Sequence, residues 1–259
     1  MRKAACRIVR STGIRVSAAL VRNLSDLAPS GRLRAAVVTA PAASAFFAIE
    51  REGKLQGVTV DLFQALAENV KLPLTLRAFP NSGEATEAIA AGECDVAFMP
   101  RDADREKKVA FGPAYIVIES TFLVPARSKL KTLDEANFAG ARAIAIAGTT
   151  TGRSARRFLT QGIVEDVRSV EEMVDLAKRG EADLFALSRD AFATLLPQVP
   201  GARVLPGGFQ QVGVAIAVPK GRPEAEQIVR NFLDSAKRSG IVRRALDRGG
   251  YRDLPVASF

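Results

Sequence analysis

A guanidinium held at the end of a buried strand can grip a carboxylate through two parallel hydrogen bonds. The stretch Gly92 to Tyr115, GECDVAFMPRDADREKKVAFGPAY, has the residues for that chemistry. Val96 to Met99 is a short apolar run that reads as a buried strand of a parallel sheet, and Pro100 ends it. Ligands of open α/β sheets sit outside the carboxyl ends of the strands, so Pro100, Arg101, Asp102 and Arg105 fall where a site would be. Read alone, residues 101–108 also fit a solvated loop of mixed charge.

A second cluster is Gly148-Thr149-Thr150-Thr151-Gly152, which follows the strand Ala143 to Ala147 and opens a helix carrying Arg153, Arg156 and Arg157. Backbone N–H groups and hydroxyls at a helix start suit an anion; plain capping of the helix by one of the three threonines explains them equally well. Pro80-Asn81-Ser82-Gly83 is a third strand end, with Asn81 or Ser82 as the cap of the next helix. Ser188-Arg189-Asp190 follows the strand Ala182 to Leu187 and is a fourth.

The elements between these points alternate. Ala35 to Val38 is a strand, Thr39 to Ala45 a small-residue loop, and Val58-Thr59-Val60 a short strand leading to an amphipathic helix with Leu62, Phe63, Leu66 and Val70 on one face. Leu72 to Phe79 is the next strand, and a helix runs through Ala85 to Ala91. Phe111 to Tyr115 closes this βαβαβ unit, and Ile116 to Val124 leaves it as a β-branched run. The same grammar repeats: a short helix from Thr132, the strand at 143–147, a helix from Ser169 to Arg179, and the strand at 182–187. Val212 to Val218 then returns, followed by helices Glu224 to Ser239 and Ile241 to Arg248.

Composition narrows the function. With 259 residues and 47% hydrophobic content the chain can bury a sizeable core. The net charge of +9 is concentrated at the start: Arg2, Lys3, Arg7, Arg10, Arg15 and Arg22 against Asp26 put +5 in residues 1–30. With no Trp and two Tyr, the body lacks the basic, aromatic-interleaved stripe that nucleic-acid binding calls for. The absence of His and the presence of only two cysteines, Cys6 and Cys94, argue against a metal centre, and no cofactor motif stands out. Cys94 reads as a small core residue, with a bridge to Cys6 unsupported.

The order Gly-x-x-Asp, apolar strand, Arg, apolar-Phe-x-x-Pro-Tyr, together with GVTVDLFQALAENVKLPLTL and the Gly-Thr-Thr after the sixth strand, resembles the type II periplasmic solute-binding proteins of ABC importers, the amino-acid-binding family. The resemblance covers about Leu27 to Gly250. It implies an α/β, two-lobed fold with two mixed, mostly parallel sheets joined by two crossing strands, the first crossing near Val117 to Ser120. Lobe 1 would be residues 31–117 plus 213–259, lobe 2 residues 118–212, and residues 1–30 a poorly ordered basic tail. It implies that Arg105 clamps a ligand carboxylate, that Gly148, Thr149 and Thr150 contact it from the second lobe, and that Asn81, Ser82, Pro100, Ser188 and Asp190 complete the site.

Two departures stand out. The family's Asp for a ligand's α-ammonium matches Ser188, with Asp190 two residues on. The first loop, Ala40-Pro41-Ala42-Ala43-Ser44, offers no aromatic stacking residue, although Phe46 and Phe47 follow. The expected protein is a monomer that captures a small carboxylate-bearing solute, amino acid or organic acid, for a membrane permease. The alternatives are a cyclohexadienyl-dehydratase-type enzyme, whose acid or base would have to be Glu84, Asp102, Asp104 or Asp190, and a ligand-sensing domain. A periplasmic location is expected from the resemblance, with a cytoplasmic one as the alternative if the start is correct, because the start lacks a recognisable signal peptide: Val16 to Val21 is short and flanked by Arg15 and Arg22.

Overall fold

The computed structural model describes residues 24–39 and 46–258. The strands are β1 (Leu33–Val38), β2 (Ile49–Arg51), β3 (Lys54–Gln56), β4 (Leu74–Phe79), β5 (Val96–Pro100), β6 (Val109–Val124), β7 (Arg142–Ile146), β8 (Ile163–Val167), β9 (Leu184–Ser188), β10 (Arg203–Val204) and β11 (Gln210–Pro219). All but the β2–β3 hairpin join one hydrogen-bonded path in the order β4-β1-β5-β11-β6-β9-β7-β8, with β10 on β6. β4, β1 and β5 are parallel, as are β8, β7 and β9. Between these two parallel groups run β11 and β6, each antiparallel to its neighbours. They are the two crossing strands that the sequence predicts, and they make the fold two-lobed and mixed α/β.

The apolar interior divides along the same line. One cluster draws on residues 27–118 and 212–246 and packs Leu33, Leu62, Phe63, Phe98, Tyr115, Val229 and Leu246. Two smaller clusters, built around Phe185 and around Phe122, draw only on residues 122–205. Phe46 and Phe47 are buried with the first, and the Phe46 ring stacks on Tyr251 with centroids 3.7 Å apart.

Three sequence expectations are corrected, and one strand is added. Val58-Thr59-Val60 is not a strand but the first turn of the helix Val58–Val70. The extended chain is spent in the preceding hairpin, and burial of Val58 and Val60 outweighs their β-preference. Phe111 to Tyr115 does not end an element, because β6 runs through it; its register against β11 slips there, and a bulge accommodates Pro113, which has no N–H for the ladder. β8 is an edge strand with an exposed Ile163 beside Glu165 and Asp166, so no apolar run marks it in the sequence. The basic tail does not extend to residue 30: Leu27 is fully buried, and the Asp26 carboxylate accepts from the N–H of Ala225 at 3.0 Å. Residues 1–23, with the expectations placed on them, lie outside the described residues, as do 40–45. Cys94 is a buried free thiol, and burial pushes its pKa up, as suits a core residue.

Candidate functional site

The strand ends gather at one mouth. β5 ends at Pro100, and a single helical turn, Ala103–Glu106, follows with Asp102 as its cap: one Asp102 oxygen accepts from the N–H of Arg105 at 2.9 Å. This turn sends the Arg105 side chain inward, where it is 3% exposed. Its Nη1 donates to the Pro100 carbonyl at 2.7 Å, and its Nη2 donates to Ser82 Oγ at 2.7 Å and to the Gly148 carbonyl at 3.1 Å. All three acceptors are neutral. Burial, and next the charge of Arg153, lower the Arg105 pKa to about 10 against the counter-effect of Asp102, so the group is still charged at neutral pH but poorly solvated.

Ser82 opens the helix Ser82–Ala90, whose cap is Asn81, accepting from the N–H of Glu84 at 2.9 Å. From the other lobe, Gly148 takes a left-handed conformation (φ 71°) that turns β7 into the helix Thr150–Phe158. Thr149 caps that helix: its Oγ1 accepts from the N–H of Gly152 at 3.1 Å and donates to the Ile146 carbonyl at 2.7 Å. The capping explanation of the threonines therefore holds for Thr149. Thr150 and Thr151 are free of that duty, and Thr151 Oγ1 meets Ser120 Oγ at 2.9 Å on the crossing strand.

A cavity of about 30 Å³ remains between these groups, lined by Val38, Phe47, Ser82, Pro100, Ile118, Thr149, Thr150, Thr151, Leu187 and Ser188. Arg105 stands one hydrogen bond behind this lining, reached through Ser82 and Pro100. The lobes touch: a methyl on Gly83 would sit 3.1 Å from the Gly148 carbonyl, and the Arg153 guanidinium is ion-paired with Asp102, its Nε 3.0 Å from Oδ2. Burial alone would raise the Asp102 pKa, but the bonds from Arg153 and from the Arg105 N–H, with both positive charges, outweigh it and hold the carboxyl below its ordinary range.

Of the nine residues that the sequence singles out, Ser82, Pro100, Thr149, Thr150 and Ser188 line this cavity, Arg105 and Gly148 stand directly behind it, and Asn81 lies at the contact between the lobes, its Oδ1 3.3 Å from where a methyl on Gly148 would sit. Asp190 does not. It lines a separate cavity of about 390 Å³ with Phe46, Glu119, Arg189 and Tyr251. Arg101, pairing with Glu106 at 2.5 Å, faces a different groove beside Arg157 and Phe209. The residues that sequence reasoning missed are Thr151, Arg153 as the partner of Asp102, and the apolar wall of Val38, Phe47, Ile118 and Leu187. Thr151 within the three-threonine run, Arg153 at the helix start and Phe47 after the first loop carried a sequence signal; Val38, Ile118 and Leu187 carried none. Glu84, Asp102 and Asp104, considered as acid or base, cap helices or pair with cations instead: Glu84 bonds Asn81, and Asp104 pairs with Lys107.

Solved structures match this fold across nearly their whole length. An ancestral amino acid-binding protein, AncCDT-1, a precursor of cyclohexadienyl dehydratase, is 21% identical, with a TM-score of 0.74 over 89% of this chain and 99% of its own. A variant of ArgBP from T. maritima is 20% identical, with a TM-score of 0.75 over 88% and 99%. The amino acid ABC transporter substrate-binding protein AbpA from Streptococcus pneumoniae, bound to L-arginine, is 18% identical, with a TM-score of 0.73 over 88% and 98%. At these identities the likeness speaks for the fold. No curated protein matches the chain. The family model for bacterial extracellular solute-binding proteins, family 3, matches residues 36–248, and the chain belongs to that family.

Proposed function

We propose that the protein is the substrate-binding subunit of an ABC-type importer, acting as a monomer outside the cytoplasmic membrane and capturing a small carboxylate-bearing solute by closure of its lobes. The lobes are residues 31–117 with 213–259, and residues 118–212, and β6 and β11 serve as the hinge. The observation that carries this reading is Arg105: a charged guanidinium, nearly fully buried, whose three direct acceptors are neutral. Burying a charge without a charged acceptor is unfavourable, and an anionic ligand at this place would offset that cost.

One of those acceptors belongs to the opposite lobe. Opening the cleft withdraws the Gly148 carbonyl and bares an Arg105 donor toward the lining; a carboxylate then fills that place, with the Ser82 hydroxyl and the first N–H groups of the Thr150 helix as further donors. The dehydratase reading has less support, since among the described residues no carboxylate lines the cavity.

Thermal denaturation across a panel of amino acids, hydroxy acids, dicarboxylates and non-acidic analogues tests the proposal. A true solute at 100 times its Kd should add about 2.7 kcal/mol of stability. Stabilisation confined to carboxylates supports the reading; stabilisation by the amides or esters of the same compounds contradicts it.

A further inference from the structure

We infer that the solute is a monocarboxylate whose α-substituent is neutral, a hydroxy or keto acid and not an α-amino acid. The inference rests on the carboxylate reading above and concerns the other end of the ligand's first two carbons. Apart from the Pro100 wall, the cavity presents two kinds of side chain: the hydroxyls of Ser82, Thr149, Thr150, Thr151 and Ser188, and an apolar wall. Among the described residues none of its lining is acidic. Residues 40–45, outside the described residues, read Ala-Pro-Ala-Ala-Ser-Ala and contain no acidic residue.

The acids nearest in the chain have other work. Glu119, next to the lining residue Ile118, pairs with Arg189 at 2.7 Å and faces the neighbouring cavity, where Asp190 also lies; Asp102 is bonded to Arg153 and to the Arg105 N–H, and Glu84 is bonded to the cap Asn81. The charge balance follows. One carboxylate neutralises the buried Arg105, and the Asp102–Arg153 pair is neutral in itself. A zwitterion would add a second cation to a space whose remaining groups are hydroxyls and hydrocarbons, leaving an ammonium without a charged acceptor. A hydroxyl or carbonyl oxygen, by contrast, is matched by hydroxyls that both donate and accept.

Calorimetric titration of pairs with one carbon skeleton reads this directly: L-alanine against L-lactate, L-valine against L-2-hydroxyisovalerate, and L-phenylalanine against L-phenyllactate. The hydroxy acid is expected to bind at least tenfold tighter than its amino partner in every pair that binds. Ser188→Asp is expected to reverse the order, and circular dichroism checks that this variant folds. If it does not fold, the parent's ranking decides alone. An amino acid that binds the parent as tightly as its hydroxy partner, or tighter, overturns the inference. If that binding also disappears in Arg105→Ala, the carboxylate clamp stands and only the neutral substituent is wrong. Binding by neither class overturns both.

Discussion

Two Arg–Asp pairs stand at opposite ends of β5, and their surroundings give them different work. At the amino end Asp95 is fully buried and accepts from the Arg34 backbone N–H at 2.9 Å, from its Nε at 3.0 Å and from its Nη2 at 2.6 Å, with Arg222 3.6 Å away. The segments that meet there all belong to one core cluster. At the carboxyl end Asp102 meets Arg153 across the two lobes, with side chains 15% and 28% exposed. The same two groups therefore lock a single packing at one end of the strand and, under the closure proposed above, join two bodies that move at the other. The number of states available to the partners, not the chemistry of the pair, separates a structural bridge from a latch.

The largest expected effect breaks the first pair. Asp95→Ala removes the fully buried acceptor of three Arg34 hydrogen bonds, and because the Arg34 side chain is 32% exposed and can turn to water, the loss costs about 1.5–3 kcal/mol. That is a large share of the roughly 5–15 kcal/mol that holds most domains folded. Urea denaturation should show the midpoint falling steeply. A midpoint close to the parent's would mean that Asp95 is not the anchor of the sheet.

The second pair should behave otherwise. Arg153→Ala and Asp102→Asn are expected to leave the denaturation midpoint almost unchanged and to shift closure by about 1 kcal/mol, the scale of a partly exposed ion pair. Small-angle scattering without solute should report a larger radius of gyration for both. The pH dependence has a definite sign. The Asp102 pKa is depressed when the pair is made, so its contribution to closure is fully present above the ordinary carboxylate value near 4 and fades as pH falls through the depressed one. Scattering that opens on raising the pH from 5 to 8 would contradict this.

Gly83→Ala sharpens the comparison. The site lies inside a helix at ordinary φ, where alanine is favoured by about 0.8–1 kcal/mol. Its methyl would nevertheless approach the Gly148 carbonyl to 3.1 Å and Asn81 Oδ1 to 3.0 Å. The variant should be as stable as the parent or more so, and should bind solute a few-fold more weakly because the lobes no longer meet. Tighter binding would place closure elsewhere. Of similar size is Ser82→Ala, which removes one neutral acceptor of Arg105 and should weaken affinity by about two- to tenfold, the worth of a single hydrogen bond of about 0.5–1.5 kcal/mol.

The features legible in the sequence were local ones. Asn81, Thr149 and Ser169 are caps because short polar side chains satisfy the first N–H groups of a helix, a contact made within three residues. Apolar runs marked β5, β9 and β11 because strands covered on both faces need them. The features that escaped depend on distant partners. The bond from Arg105 to the Gly148 carbonyl spans 43 positions and the Arg153–Asp102 pair spans 51, and neither leaves a trace in spacing. Asp190 looked like a site residue because it follows a strand end, but the 3-10 turn Arg189–Ala191 delivers it to the neighbouring cavity.

The central claim is that Arg105 is the carboxylate anchor, and calorimetric titration of Arg105→Ala, Arg105→Lys and Arg101→Ala tests it most directly, using the acid that stabilises the parent best. Truncating Arg105 leaves the ligand's charge buried and unpaired, which costs about 2–5 kcal/mol. That is a loss of roughly 30-fold to a few thousand-fold in affinity. Lysine, a point charge without the planar fork, should restore little of it, and Arg101→Ala, whose side chain pairs with Glu106 over another groove, should bind within threefold of the parent. Circular dichroism on each variant confirms the fold. Binding by Arg105→Ala within threefold of the parent would contradict the account.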